Sequence, residues 1–148
     1  MPIAVRSVQN SDIPAMAAIR AKEWESDSFW VTRIDGYLSG ELSPQQALLA
    51  RAALVAVDGN AVVGFVAGHK TRRHSCDGEL QWMNVAVEQR RQGIATLMLA
   101  AIAAWFIQQQ ALRIYVDVSP VKLAARTLCA NMARSRSTTT GWFGKIFA

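Results

Sequence analysis

Cysteine is scarce in this chain. Cys76 and Cys129 are the only two, too few for a disulfide framework, and they point to a reducing compartment. Histidine is as rare: His69 and His74 lack the spacing and partner acids of a zinc site and read as plain surface or strand residues. Long hydrophobic runs are missing too. The longest nearly apolar stretch, residues 93–107, is too short to span a bilayer and suits a buried helix. The opening Met1-Pro2-Ile3-Ala4-Val5-Arg6 lacks the charged-then-apolar pattern of a secretory signal. The expected location is therefore the cytoplasm, with no membrane partner. There is no Ser-His-Asp, Walker or Rossmann constellation, which removes the commonest hydrolase, nucleotide and dinucleotide chemistries.

Acidic residues are in deficit: 11 Asp and Glu face 16 Lys and Arg, so the net charge is +5 and the pI about 9.8. Basic residues cluster at Lys70 with Arg72 and Arg73, at Arg90-Arg91, and at Arg134 with Arg136. Such charge suits a polyanion. Nucleic acid rests on that charge alone, with no recognition motif, and is not the expected partner. Hydrophobic residues make up 51% and charged residues 18%, enough apolar material for one packed domain over the 148 residues.

The pattern of elements starts with an alternating strand over residues 3–8. Asn10-Ser11-Asp12 offers a helix cap with Pro14 in the first turn, and an apolar stripe through Met16 and Ile19 carries that helix to about Trp24. Residues 25–40, rich in aromatics and turn formers, read as a short helix within a long loop. Ser43-Pro44-Gln45-Gln46 has capping-box spacing and proline at the first helical position, which predicts a helix through Arg51. Leu54-Val55-Ala56-Val57 and Val62-Val63-Gly64-Phe65-Val66 flank Asp58-Gly59-Asn60, a hairpin signal. Further strands are predicted over 80–87 and 112–118, helices over 93–109 and 120–132, and a final short strand within 141–147. The result is a mixed α/β chain, an antiparallel front half followed by a βαβ unit.

The segment with the sharpest chemistry is Val85-Ala86-Val87-Glu88-Gln89-Arg90-Arg91-Gln92-Gly93-Ile94-Ala95-Thr96. An apolar strand enters it, an Ala- and Leu-rich helix leaves it, and two arginines and a glycine lie between. The first turn of a helix has unpaired N–H groups and partial positive charge, so it attracts phosphate. Gly93 and Ala95 leave room for a bulky anion. The segment reads as a pyrophosphate cradle made by Arg90, Arg91, Gln92, Gly93, Ile94, Ala95 and Thr96.

Read as Arg90-x-x-Gly93-x-Ala95, this segment resembles the acyl-CoA-binding signature of the Gcn5-related N-acetyltransferases (GNAT superfamily), Gln/Arg-x-x-Gly-x-Gly/Ala. The order of elements resembles that family as well. The resemblance implies a GNAT-like fold: a central, mixed but mostly antiparallel sheet with two splayed parallel strands and flanking helices. It implies acetyl-CoA as co-substrate, lying between those two strands, with backbone groups of Met83, Asn84 and Val85 along its pantetheine arm. The implied reaction is direct attack of a primary amine, of a small molecule or a protein, on the thioester. Either Asp117, late in the second splayed strand, or Glu79, at the start of the first, would be the general base. In the family's second signature, Asn-x-x-Ala-x-x-x-Tyr, Lys122 stands at the asparagine, where it could reach a CoA phosphate. Cys129 stands at the tyrosine that protonates the leaving sulfur, and also reads as a small buried hydrophobe. These departures leave a second reading open, an acyl-CoA-binding module with weak or lost catalysis. The acceptor pocket would be built by residues 25–40 and the C-terminal strands. Exposed aromatics or an exchanged final strand could make a homodimer.

Overall fold

The computed structural model describes residues 2–116. Within them, strand β1 (Ile3–Ser7) leads to helices α1 (Ile13–Ala21) and α2 (Asp27–Ser39), then β2 (Ala47–Asp58), β3 (Ala61–Thr71), β4 (Gly78–Val85), helix α3 (Ile94–Gln108) and β5 (Ile114–Val116). The five strands form one sheet in the order β1-β2-β3-β4-β5. Neighbours are antiparallel except the last pair, where Gly78, Glu79 and Leu80 of β4 run parallel to Ile114, Tyr115 and Val116. The mixed sheet with flanking helices is the fold class expected from the sequence. The predicted helix over 120–132 and the final strand lie outside the described residues.

Each face of the sheet carries its own core. Against one face, α3 buries Ile94, Met98, Leu99, Ile102, Ala103 and Phe106 on Val66 and Leu80. That spacing is one stripe of a 3.6-residue helix. Against the other, α1 and α2 bury Met16, Trp30, Ile34 and Tyr37 on Val55, Phe65 and Trp82. Each large apolar side chain buried there contributes about 1.5–3 kcal/mol before the entropy of ordering the chain is set against it. Close packing under α3 requires glycine: a Cβ on Gly78 would lie 2.6 Å from the Phe106 ring.

The hairpin is as expected, with Gly59 at φ 62° in its turn. Two expectations are corrected. Residues 25–40 are not a short helix in a loop but carry one helix, Asp27–Ser39, capped by Ser26, whose Oγ accepts from Phe29 N at 3.2 Å, and closed by Gly40 at φ 87°. Its stripe Trp30, Ile34, Tyr37 is fully buried, and that burial carries the helix through residues that locally favour turns. The predicted helix from Ser43 to Arg51 does not form. Ala47 N instead donates to Pro44 O at 3.1 Å, closing a turn, and β2 starts at Ala47. Ala47 and Arg51 pair with Thr71 and His69 of β3, and strand pairing prevails over a local capping signal. Smaller differences are that α1 ends at Ala21 rather than Trp24 and β4 at Val85 rather than residue 87.

Candidate active site

The basic turn follows directly from β4. Ala86 N donates to Val63 O at 2.8 Å, a single turn of 3-10 helix (Val87–Gln89) follows, and Arg91 and Gly93 both take positive φ, 67° and 78°. Gly93 caps α3 with no side-chain hydrogen bond. Leu97 N is the first of the helix to donate back to the turn, to Gly93 O at 3.1 Å. The N–H groups of Ile94, Ala95 and Thr96 therefore carry the unpaired end of the helix. A Cβ on Gly93 would meet nothing within 4 Å, so the space over the turn is open. Unpaired donors beside open space suit an anion.

The two arginines of the turn differ. Arg90 is committed to the protein: its Nε donates to Val85 O at 3.2 Å and its Nη2 meets Glu23 Oε1 of the α1–α2 connection at 2.8 Å. Arg91 is exposed and makes no ion pair among the described residues. Gln92 and Thr96 are exposed as well.

The bond from Ala86 to Val63 also sets the phase of β4. Backbone groups alternate along an antiparallel pair, so Trp82 and Asn84 turn theirs toward β3, while Met83 and Val85 turn theirs away from it. Among the described residues, β5 meets β4 only as far as Leu80. Met83 and Val85 thus offer main-chain groups on the β5 side. Asn84 offers a side chain instead: buried on the α1 face, its Oδ1 accepts from Arg20 Nη1 at 3.2 Å. Arg20 itself lies over the Trp30 ring at 4.3 Å, and burial pulls its pKa down, an effect partly countered by Glu23.

At the start of β4, Glu79 is buried in a polar relay. Tyr37 Oη is 2.8 Å from His69 Nδ1, and His69 Nε2 is 3.1 Å from Glu79 Oε2. Arg73 Nη1 stands 3.5 Å from the other carboxylate oxygen. Burial pushes the Tyr37 phenol well up, so it remains a donor. With Tyr37 donating to Nδ1, a neutral His69 carries its proton on Nε2 and donates to Glu79. Tyr37, Arg73 and Glu79 also line a pocket of about 440 Å³ with Arg33, Gln81 and Trp82. Gln81 is the extra residue of a β-bulge, since Ala67 faces Trp82 and Gly68 faces Leu80.

Of the residues singled out in the sequence, the turn residues Arg90 to Thr96 and the strand residues Met83 to Val85 gather at the C-terminal end of β4. Glu79 lies at its other end, on the pocket. Asp117, Lys122 and Cys129 lie outside the described residues. Tyr37 lies within residues 25–40, the stretch assigned to a pocket in the sequence, and it lines one. Sequence reasoning missed its contact with His69, the place of Arg73, and the placement of His69, which is a strand residue but a fully buried one. Period-2 alternation with Phe65 and Ala67 was the signal for its burial.

No curated protein matches the sequence significantly. Solved structures with the same fold are numerous. A ribosomal-protein-alanine N-acetyltransferase from Brucella melitensis biovar Abortus 2308 superposes with a TM-score of 0.65 at 16% identity, covering 89% of this chain and 91% of that one. An N-acetyltransferase from Staphylococcus aureus Mu50 gives 0.71 at 13%, covering 89% and 82%. The aminoglycoside N-acetyltransferase AAC(6')-Iy in complex with CoA gives 0.71 at 16%, covering 88% and 86%. The family model for the Acetyltransferase (GNAT) family matches residues 11–132, a span that holds strands β2 to β5, helices α1 to α3 and the glycine turn. The chain belongs to the acetyltransferase (GNAT) family.

Proposed function

We propose that this chain is an acetyl-CoA-dependent N-acetyltransferase that passes the acetyl group to a primary amine of a small molecule or protein, by direct attack within a ternary complex. The observation that carries the reading is the Gly93 turn: an open, uncapped helix N-terminus with Arg91 exposed beside it, at the end of a strand whose Met83 and Val85 main chain faces away from β3. AAC(6')-Iy, which shares the fold, has been solved with CoA and with the bisubstrate analogue CoA-S-monomethyl-acetylneamine. In this chain the N–H groups at 94–96 and Arg91 would hold the pyrophosphate, and Met83 and Val85 the pantetheine arm, with Lys122 a further phosphate contact. The scarcity of cysteine favours a cytoplasmic setting.

The neutral amine's lone pair attacks the thioester carbonyl; the C–N bond forms, the C–S bond breaks, the sulfur leaves as thiolate, and the nitrogen releases its surplus proton to that thiolate or to solvent. The amine must first lose a proton. Glu79 faces the pocket and its carboxylate is oriented by His69, which suits it to accept that proton; Asp117 is the other candidate. A main-chain N–H of β4 would stabilise the developing oxyanion. A thiol pKa of about 8.5 lets the thiolate leave without full protonation, so Cys129 in the tyrosine position slows the reaction rather than forbidding it. The same substitution, with Lys122 at the asparagine position, favours the second reading of a CoA-binding module with weak catalysis.

Acetyl-CoA should raise the melting temperature, since a ligand at a hundredfold its Kd adds about 2.7 kcal/mol to the folded state. No shift sinks both readings. With a shift in hand, thiol release over an amine panel separates enzyme from binder. Glu79→Gln or Asp117→Asn should lower kcat by roughly 10²–10⁴-fold for whichever is the base; indifference to both would leave the proton to water or substrate.

A further inference from the structure

The pocket beside Glu79 has an unusual balance of charge for a site that receives an amine. Among the described residues its wall carries one carboxylate, Glu79, and two guanidinium groups, Arg33 and Arg73. Glu79 is not free to answer a cation with both oxygens, because Oε2 meets His69 and Oε1 faces Arg73. Arg73 is held in place over the Tyr115 ring, 5.5 Å from its centre. Arg33 precedes Tyr37 by one helical turn on α2, makes no ion pair among the described residues and is exposed to solvent at the pocket. Behind the wall a third guanidinium, Arg51, donates to Tyr37 O at 2.6 Å and to Ser43 Oγ at 3.2 Å. From Val118 to Ala148 the sequence contains no aspartate or glutamate, but five basic residues: Lys122, Arg126, Arg134, Arg136 and Lys145. Beyond Asp117, that part of the chain therefore has no acidic side chain with which to reverse the balance.

Such a wall repels a polycation and favours an acceptor that brings its own negative charge. Guanidinium groups match carboxylates in geometry and bind them with charge-assisted hydrogen bonds. The same positive field also favours the neutral, nucleophilic form of the amine over its ammonium form. We propose, resting on the transferase reading above, that the acceptor is a small amine that also carries a carboxylate, its nitrogen at Glu79 and its carboxylate on Arg33 and Arg73. The pocket volume of about 440 Å³ is in the range of small-molecule sites.

The test is a panel of amines paired by charge: alanine, β-alanine and glutamate, each against its carboxamide, with spermidine as the polycation. Thiol release gives kcat/KM. In parallel, the extra melting-temperature shift that each amine adds in the presence of CoA reads binding without turnover. The amino acids should exceed their amides by about tenfold or more, the usual worth of a hydrogen bond to a charged group. Arg33→Gln and Arg73→Gln should each lower kcat/KM or the shift several-fold more for the acid than for its amide; Arg33 is exposed, so its variant folds. Preference for amides or spermidine, an acid-to-amide ratio that neither variant changes, or no acid-dependent shift overturns the inference. In all of those outcomes the shift caused by acetyl-CoA alone remains, whereas loss of that shift marks failure of the transferase reading itself.

Discussion

Tyr37 Oη lies 2.8 Å from Nδ1 of His69, and both side chains are buried. The contact crosses from α2 to β3 and fixes which ring nitrogen of His69 faces Glu79 with a proton. Tyr37→Phe keeps the ring, and with it the packing on Trp82 at a centroid distance of 4.9 Å, but leaves a buried nitrogen without its partner. The expected loss is about 1–3 kcal/mol, read from urea denaturation. If His69 orients Glu79 for proton transfer, kcat falls as well while the affinity for acetyl-CoA is unchanged. A loss near zero in both would show that the relay has no hold on the site.

The sequence made the two ends of β4 legible to different degrees. The glycine turn is local: Arg90-Arg91-Gln92-Gly93 carries its strand, turn and helix signals within a few residues, and so does the hairpin at Asp58-Gly59-Asn60. The relay is not local. Its members come from positions 37, 69 and 79, and no spacing within one element announces that Tyr37 meets His69 or that His69 meets Glu79. Ser43 to Gln46 failed for the opposite reason, since a strong local helix signal was overridden by pairing of Ala47 and Arg51 with β3. Trp30 and Tyr37 are core residues, whereas Trp24 is 60% exposed, a distinction that aromatic content alone could not make.

Arg90 and Arg91 are neighbours with separable roles. Arg90 ties Val85 O to Glu23 Oε1 and so holds the turn; Arg91 is exposed to solvent beside Gly93. Arg91→Ala should weaken acetyl-CoA roughly tenfold at low salt and less at high salt, where a screening length of about 3 Å at 1 M removes most of its field. Arg90→Ala should weaken binding with a flatter salt dependence, because it acts through turn geometry. Its ion pair with Glu23 is half exposed, so Glu23→Gln should cost under about 1 kcal/mol of stability. Calorimetric titration at two salt concentrations decides; equal salt slopes for the two arginine variants would refute the division.

Under α3, Gly78 gives Phe106 and Ile114 room at the point where β4 meets β5. A methyl group there would come within 2.6 Å of Phe106 Cε1 and 2.8 Å of Ile114 Cδ1. Gly78→Ala should therefore cost about 1–3 kcal/mol by overpacking. Phe106→Leu vacates part of that space, so the double variant should be more stable than the sum of the single losses implies, by about 0.5–3 kcal/mol. Strict additivity in the denaturation midpoints would mean that the backbone, rather than the ring, takes up the strain.

Acid should loosen the entry to α1 first. Asp12 is buried, and its carboxylate accepts from Arg6 Nη1 at 2.8 Å, from Arg6 Nη2 at 3.0 Å and from Gln9 N at 2.7 Å. The bonds from Arg6 hold its pKa below the ordinary 3.8, with burial opposing them and Gln9 N assisting. A carboxylate whose folded pKa is depressed contributes stability that is complete above its unfolded value and disappears as pH falls through the folded one. Asp12→Ala should cost about 1 kcal/mol at neutral pH through loss of the helix-entry hydrogen bond alone. The gap between the two proteins should stay level down to about pH 5 and then narrow as pH passes below 3.8. Urea midpoints measured across that range give the answer: a gap that widens on acidification would require the folded pKa of Asp12 to lie above its unfolded value, contrary to its bonds with Arg6.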